Sequence, residues 1–162
     1  MKQNNRQQQR QKAQQAERRL RKYCTNKATT PQLAKQTLRI VPLGGQNGIG
    51  EKNMIVVEYE NDAIVLDCGF DLGVNLPGVN YTIPATDYLQ SIRHKLRGYV
   101  ISHGHLDHIG ALVHVVPDCP APIYGSKFTI GMVDAQFEKA KERGVQYQHQ
   151  TTALNMDNHL RI

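Results

Sequence analysis

The character of the chain changes abruptly at Leu38, and that change limits what it can fold into. Ahead of it stand seven glutamines before Ala16, the basic cluster Arg18, Arg19, Arg21 and Lys22, and the breaker-rich Thr29-Thr30-Pro31. Few large apolar side chains accompany them, so the segment has too little surface to bury to offset the entropy of ordering it. Residues 1–37 are expected to be a disordered basic tail, with a nascent helix over residues 10–23. From Leu38 onward short β-type runs alternate with turn residues, and residues 38–162 are expected to hold the folded domain. A length of 162 residues leaves room for one domain and a tail.

Charge divides along the same line. Residues 1–39 carry 11 Lys or Arg against the single acid Glu17, while residues 40–162 carry 9 against 13 Asp or Glu. The overall +6 therefore belongs to the tail, and the domain is mildly acidic. Two uses fit such a tail: a solubilising extension, or an arm whose Arg18, Arg19, Arg21 and Lys22 neutralise nucleic-acid phosphates. No run of about 18 apolar residues is present, and the Gln- and Arg-rich start lacks a signal-peptide core. Neither a membrane span nor secretion is expected, and a cytoplasmic location is. The three cysteines, Cys24, Cys68 and Cys119, are odd in number and form no CxxC pair, which argues against a disulfide framework or a thiolate zinc site. Cys68 and Cys119 are expected to be small buried apolar residues.

Within the domain the pattern predicts strands over residues 38–43, 53–59 and 63–67, the last two forming a hairpin around Glu60-Asn61-Asp62. Gly44, Gly45, Gly48 and Gly50 make a loop that fits neither phosphate-binding glycine spacing, so a tight turn is the preferred reading. Residues 69–84, rich in Gly, Asn and Pro, predict a long irregular loop. A short helix over 86–95 follows, with Thr86 or Asp87 available as its cap. Then come an apolar strand over 98–101, a helix over 109–115, a brief strand at 123–124, and a helix over 128–143 closed by Gly144. Two last strands are expected at 150–154 and 159–162. Strands interspersed with helices indicate a layered α/β architecture.

Four of the seven histidines lie between positions 103 and 114, and three of them stand with an aspartate in Ser102-His103-Gly104-His105-Leu106-Asp107-His108. Residues 103–108 are expected to form a loop at the carboxyl edge of a buried strand, where ligands collect in α/β sheets. His103 and His105, two apart in extended chain, can hold one ion. Asp107 and His108, where the chain turns into the helix, can face a second. Imidazole nitrogen with carboxylate oxygen suits zinc or manganese. Two such ions about 3.5–4 Å apart hold a bridging hydroxide and polarise a phosphoryl or carbonyl oxygen, which is hydrolytic chemistry. The bland alternative is a solvated histidine-rich loop. His114 reads as structural, and His94, His149 and His159 receive no role.

HGHLDHIGAL after the apolar GYVIS resembles the second motif of the metallo-β-lactamase superfamily. LRIVPLGGQNGIGEKNMIVVEYENDAIVLDCGF, with GVNYTIPATDYL and APIYGSKFTIGMV, is similar to the opening of the RNase J ribonucleases of its β-CASP branch, over roughly residues 38–162. The resemblance implies the N-terminal half of a layered αββα fold. It also implies His103, His105, Asp107 and His108 as ligands of two zinc ions, with manganese the alternative. Asp67 matches the family's first motif, an aspartate supporting the metal loop through hydrogen bonds; from its position alone it reads equally as a strand-end residue. Leu106 stands where the family usually has an acid, a departure similar to the eukaryotic and archaeal cleavage-factor branch. The sequence IPATDYL sets Asp87 away from the proline it usually follows.

The remaining ligands, the inserted β-CASP domain and the pocket for the RNA 5′ end are expected beyond Ile162, so the chain is expected to be the N-terminal part of a longer enzyme, inactive alone. The activity so implied is metal-dependent hydrolysis of RNA, by 5′ to 3′ exonucleolytic and endonucleolytic cleavage. Catalysis would rest on Asp107 and His108, with Asp107 orienting the nucleophile, and the full-length protein would be a homodimer or tetramer. The alternatives are a small-molecule hydrolase of the glyoxalase II type and a non-catalytic RNA-binding fragment in which the tail does the work.

Overall fold

The computed structural model describes residues 36–44, 51–74, 76–145 and 147–155. Residues 1–35 of the basic tail, glycines 45, 48 and 50 and the expected strand at 159–162 lie outside the described residues. β1 (Leu38–Pro42), β2 (Ile55–Tyr59) and β3 (Asp62–Leu66) form an antiparallel meander. The β2–β3 hairpin turns on Glu60-Asn61, with Tyr59 paired to Asp62, so Asp62 belongs to the strand and not to the turn. β4 (Leu96–Val100), β5 (Ile123–Ser126) and β6 (Thr151–Leu154) then add in parallel, giving a sheet in the order β1-β2-β3-β4-β5-β6.

Register explains which side of the sheet the helices cover. Val56 pairs with Val65, Val65 with Tyr99 and Tyr99 with Ile123, so these four share one face, and all are fully buried. Ile55, Leu66, Val100 and Tyr124 share the other face and are half-buried. On the buried side Leu89, Ile109, Leu112, Val115, Ile130, Val133 and Phe137 complete one core. The Tyr99 hydroxyl, deep in that core, donates to the Cys119 carbonyl at 2.7 Å, so the one polar atom of the largest buried side chain is satisfied. Cys68 and Cys119 are buried as expected, and burial pushes both thiols up, away from reactivity.

The helices follow their sequence signals with two departures. α1 (Asp87–Ser91) is cut short, and the rest of the expected helix is a 3-10 turn over Arg93–Lys95. Thr86 stands at its N-cap position without capping by its side chain, and its hydroxyl instead accepts from Gln90 Nε2. The expected helix over 109–115 is two short ones, α2 (Leu106–Ile109) and α3 (Leu112–Val115). The break has a cause: the Ala111 amide, which a continuous helix would turn inward, donates to the Cys68 carbonyl at 2.9 Å. Gly110 makes this possible, because a Cβ there would stand 2.3 Å from the Phe70 ring. α4 (Lys127–Glu142) starts at Ser126, whose Oγ accepts from the Thr129 amide at 3.2 Å, and ends just before Gly144 at φ 96°. Its buried residues Thr129, Ile130, Val133, Phe137 and Ala140 recur at helical spacing. Residues 69–74 and 76–84 are irregular as expected, tied by an Asp71–Thr82 bridge. No described helix is long and apolar enough to cross a membrane.

Candidate metal centre

The parallel pair β3 and β4 ends side by side, and the chain leaves both strands at one edge of the sheet. Asp67, the residue after β3, takes a left-handed φ of 58°, which turns its carboxylate back across the end of β4. There its Oδ1 accepts from the Ser102 amide at 2.8 Å, and Ser102 Oγ lies within 3.0 Å of both carboxylate oxygens. Its Oδ2 takes His108 Nδ1 at 2.8 Å. The carboxylate thus fixes which nitrogen of His108 carries hydrogen and directs Nε2 away from Asp67.

His108 Nε2 faces Asp107 Oδ2 at 3.3 Å. The rings of His103 and His108 are 4.0 Å apart between centroids, and those of His103 and His105 are 4.7 Å apart. Ser102 Oγ also reaches His103 Nδ1 at 3.0 Å. His103, Asp107 and His108 are half-buried and His105 is exposed. Asp107 and His108 lie within α2, not in a loop as the spacing suggested, so only residues 101–105 are extended or irregular.

Two other segments seat α2. The amides of Cys68 and Phe70 donate to the His108 and Leu106 carbonyls at 2.7 and 3.3 Å, and the Asn53 amide donates to the Asp107 carbonyl at 3.0 Å. Carbonyls that a four-residue helix cannot satisfy internally are thereby paired. Gly69 passes so close that a Cβ there would fall 1.6 Å from the Asp107 carbonyl oxygen.

Sequence spacing missed two polar residues of this cluster. Ser102 was in view but without a role, and Asn53 is 54 residues from Asp107, a distance at which no local pattern speaks. Asn53 Nδ2 lies 3.2 Å from the Asp107 carbonyl, from Asp107 Oδ2 and from His108 Nε2. His114 is not drawn in: it sits at 2.8 Å from the Tyr81 hydroxyl, and Tyr81 stacks on Phe70. His149 is elsewhere, bonded to Asp134 at 2.8 Å and stacked on Phe137. Asp87 opens α1 and is exposed.

In donor chemistry the cluster suits a divalent ion of the zinc or manganese kind, since it gathers imidazole nitrogen and carboxylate oxygen, with His108 Nε2 3.3 Å from Asp107 Oδ2. Among the described residues no three His, Cys, Asp or Glu side chains already converge as a ligand set.

Polar side chains rich in nitrogen and oxygen thus gather where the adjacent parallel strands β3 and β4 of this α/β sheet end. Residues 47–132, more than half of the chain, match the metallo-beta-lactamase superfamily, and the chain belongs to that superfamily. It is 40% identical to Ribonuclease J of Thermus thermophilus over 108 residues, which are 63% of this chain and 19% of that protein. Ribonuclease J of Helicobacter pylori is 37% identical over 107 residues, 65% of this chain and 15% of the relative. Ribonuclease J 2 of Staphylococcus saprophyticus is 35% identical over 128 residues, 78% and 22%. The chain therefore spans about one fifth of the length of the curated relatives it matches.

Proposed function

We propose that the protein is a metal-dependent ribonuclease that hydrolyses RNA phosphodiester bonds. What carries the reading is that the span matched to the superfamily, 47–132, contains all of Asp67, His103, His105, Asp107 and His108, while the relatives at 35–40% identity are named ribonucleases. In this reading His103 and His105 hold one divalent ion and Asp107 and His108 the other, zinc first and manganese the alternative. Bound there, such ions supply Lewis acidity toward a phosphoryl oxygen and lower the pKa of water.

The chain's own residues supply position. Asp67 holds the His108 ring by Nδ1 and the end of β4 by the Ser102 amide, so two parts of the cluster turn on one carboxylate. Asp107 would also orient the attacking water in this reading. Arg18, Arg19, Arg21 and Lys22 add sequence-independent attraction for RNA that weakens steeply as salt rises. Cytoplasmic location, exonucleolytic together with endonucleolytic cleavage, and assembly as a homodimer or tetramer complete the proposal, as does the division into a tail over 1–37 and a domain from 38.

The test is cleavage of 5′-monophosphorylated RNA by the full-length gene product, with and without His105→Ala. Loss of cleavage by about 1,000-fold or more is expected, since a ligand is removed from the reacting centre. Cleavage that survives both His105→Ala and chelation would sink the proposal.

A further inference from the structure

We infer that Asn53 is a positioning residue that sets Asp107 and His108 facing one another for a single divalent ion; this rests on the metal reading of the cluster. Its backbone anchors it independently of its side chain, with its amide on the Asp107 carbonyl and its carbonyl taking the Gly69 amide, each at 3.0 Å. The side chain then meets three acceptors. His108 Nδ1 donates to the Asp67 carboxylate, so in the neutral ring that metal ligation requires Nε2 offers a lone pair. Asp107 Oδ2 offers another, 3.3 Å away. Two lone pairs so close repel unless a donor or a cation lies between them.

The Asn53 amide is such a donor, 3.2 Å from each of them. The separation it holds is informative. Metal bonds of roughly 2.0–2.1 Å at a tetrahedral angle place two ligand atoms about 3.3–3.4 Å apart, which is the spacing found here. An amide does this without a charge of its own. A lysine in its place would repel the ion, and an aspartate would add a third lone pair to the two already opposed.

The experiment is titration of the wild-type chain, Asn53→Leu and Asn53→Gln with Zn²⁺ and with Co²⁺, the latter followed by its visible spectrum, alongside thermal unfolding of the ion-free proteins. Leucine nearly matches asparagine in shape but donates nothing. An affinity 10- to 100-fold weaker in Asn53→Leu is expected, as for other residues that orient metal ligands. The unfolding midpoint should hardly move, because the backbone bonds remain, and Asn53→Gln, which keeps the donor, should recover part of the affinity. A purely structural role would lower the midpoint and leave affinity intact. Should Asn53→Leu fail to fold, Asn53→Ala, which also donates nothing, decides by the same titration. Wild-type affinity in Asn53→Leu or in Asn53→Ala overturns the inference and leaves the metal reading standing; a wild-type chain that takes up neither ion overturns both.

Discussion

Two polar clusters lie on the same small sheet and are built by opposite rules. One centres on Glu58 of β2, only 1% exposed, which receives Lys95 Nζ at 2.7 Å and the Tyr88 hydroxyl at 2.5 Å, with Arg39 at 3.8 Å. Burial works to raise the Glu58 pKa, but hydrogen bonds from Lys95 and Tyr88, with the charges of Lys95 and Arg39, outweigh it and hold the carboxyl below its ordinary range. Tyr88 is pushed up by burial and by its bond to that carboxylate. The other cluster gathers Asp67, Asp107 and three imidazoles, and there the bonded side chains keep 16–26% of their surface exposed. Its carboxylates rest on Ser102, Asn53 and His108 instead of on fixed cations. A network that closes on its own charges clamps β1, β2, α1 and the 3-10 turn together. The other holds its carboxylates and imidazoles with neutral donors, Ser102 and Asn53, and keeps them partly open to solvent.

The contrast can be broken most severely from the side of the metal cluster. Gly69→Ala puts a carbon where the Asp107 carbonyl oxygen already stands, 1.6 Å away, and backbone on both sides cannot yield. A loss of about 3 kcal/mol or more in denaturant unfolding is expected, with ion uptake abolished in whatever remains folded. A stable Gly69→Ala that still binds Co²⁺ would show that the close approach is not needed.

Glu58→Ala should come next, at about 2–3 kcal/mol, because it strands Lys95 and the Tyr88 hydroxyl without their acceptor; Lys95 is 20% exposed, which tempers the cost. Ion affinity should stay as in the wild type. A matching fall in affinity would mean that the two clusters are coupled and the contrast is false. The same residue gives the wild-type domain an acid limit. A carboxyl whose folded pKa is depressed contributes stability that is whole above its unfolded value of about 4.3 and is lost as pH falls from there through the lower folded value. Unfolding free energy against pH should therefore drop more steeply below about 4.3 in the wild type than in Glu58→Gln.

What could be read from the sequence follows the same division. The succession of short apolar strand runs, the stop at Gly144 and the HxHxDH cluster are local patterns, each decided within a few residues. The missed features depend on partners far along the chain. The helix over 109–115 breaks because Cys68 takes the Ala111 amide, 43 positions away in sequence. Glu58 looks like an ordinary exposed strand residue until Lys95, 37 positions on, and Tyr88 come to meet it. Asn53 carries no signal except its place in the LGGQNGIGEKNM opening, and His149 finds Asp134 only after α4 and β6 are laid side by side.

Asp67→Asn is the mildest change and the one that best separates shape from charge. Asp67 sits at φ 58°, a conformation that asparagine accepts as readily as aspartate, so the backbone turn should survive where alanine would strain it. What changes is acceptor capacity. The carboxylate accepts from the Ser102 amide with one oxygen and from His108 Nδ1 with the other. An asparagine has one acceptor to divide between them, and its NH₂ would face one of the two donors. If the amide oxygen stays on the Ser102 backbone, His108 loses the partner that fixes its tautomer, and Nε2 no longer reliably presents a lone pair toward Asp107. Stability should fall by no more than about 1 kcal/mol, since one partly exposed hydrogen bond is lost. Affinity for Zn²⁺ or Co²⁺ should fall 10- to 100-fold. Loss of stability without loss of affinity would place Asp67 with Glu58, as a clamp on the ends of β3 and β4, and the division between the two clusters would then run along burial alone and not along purpose.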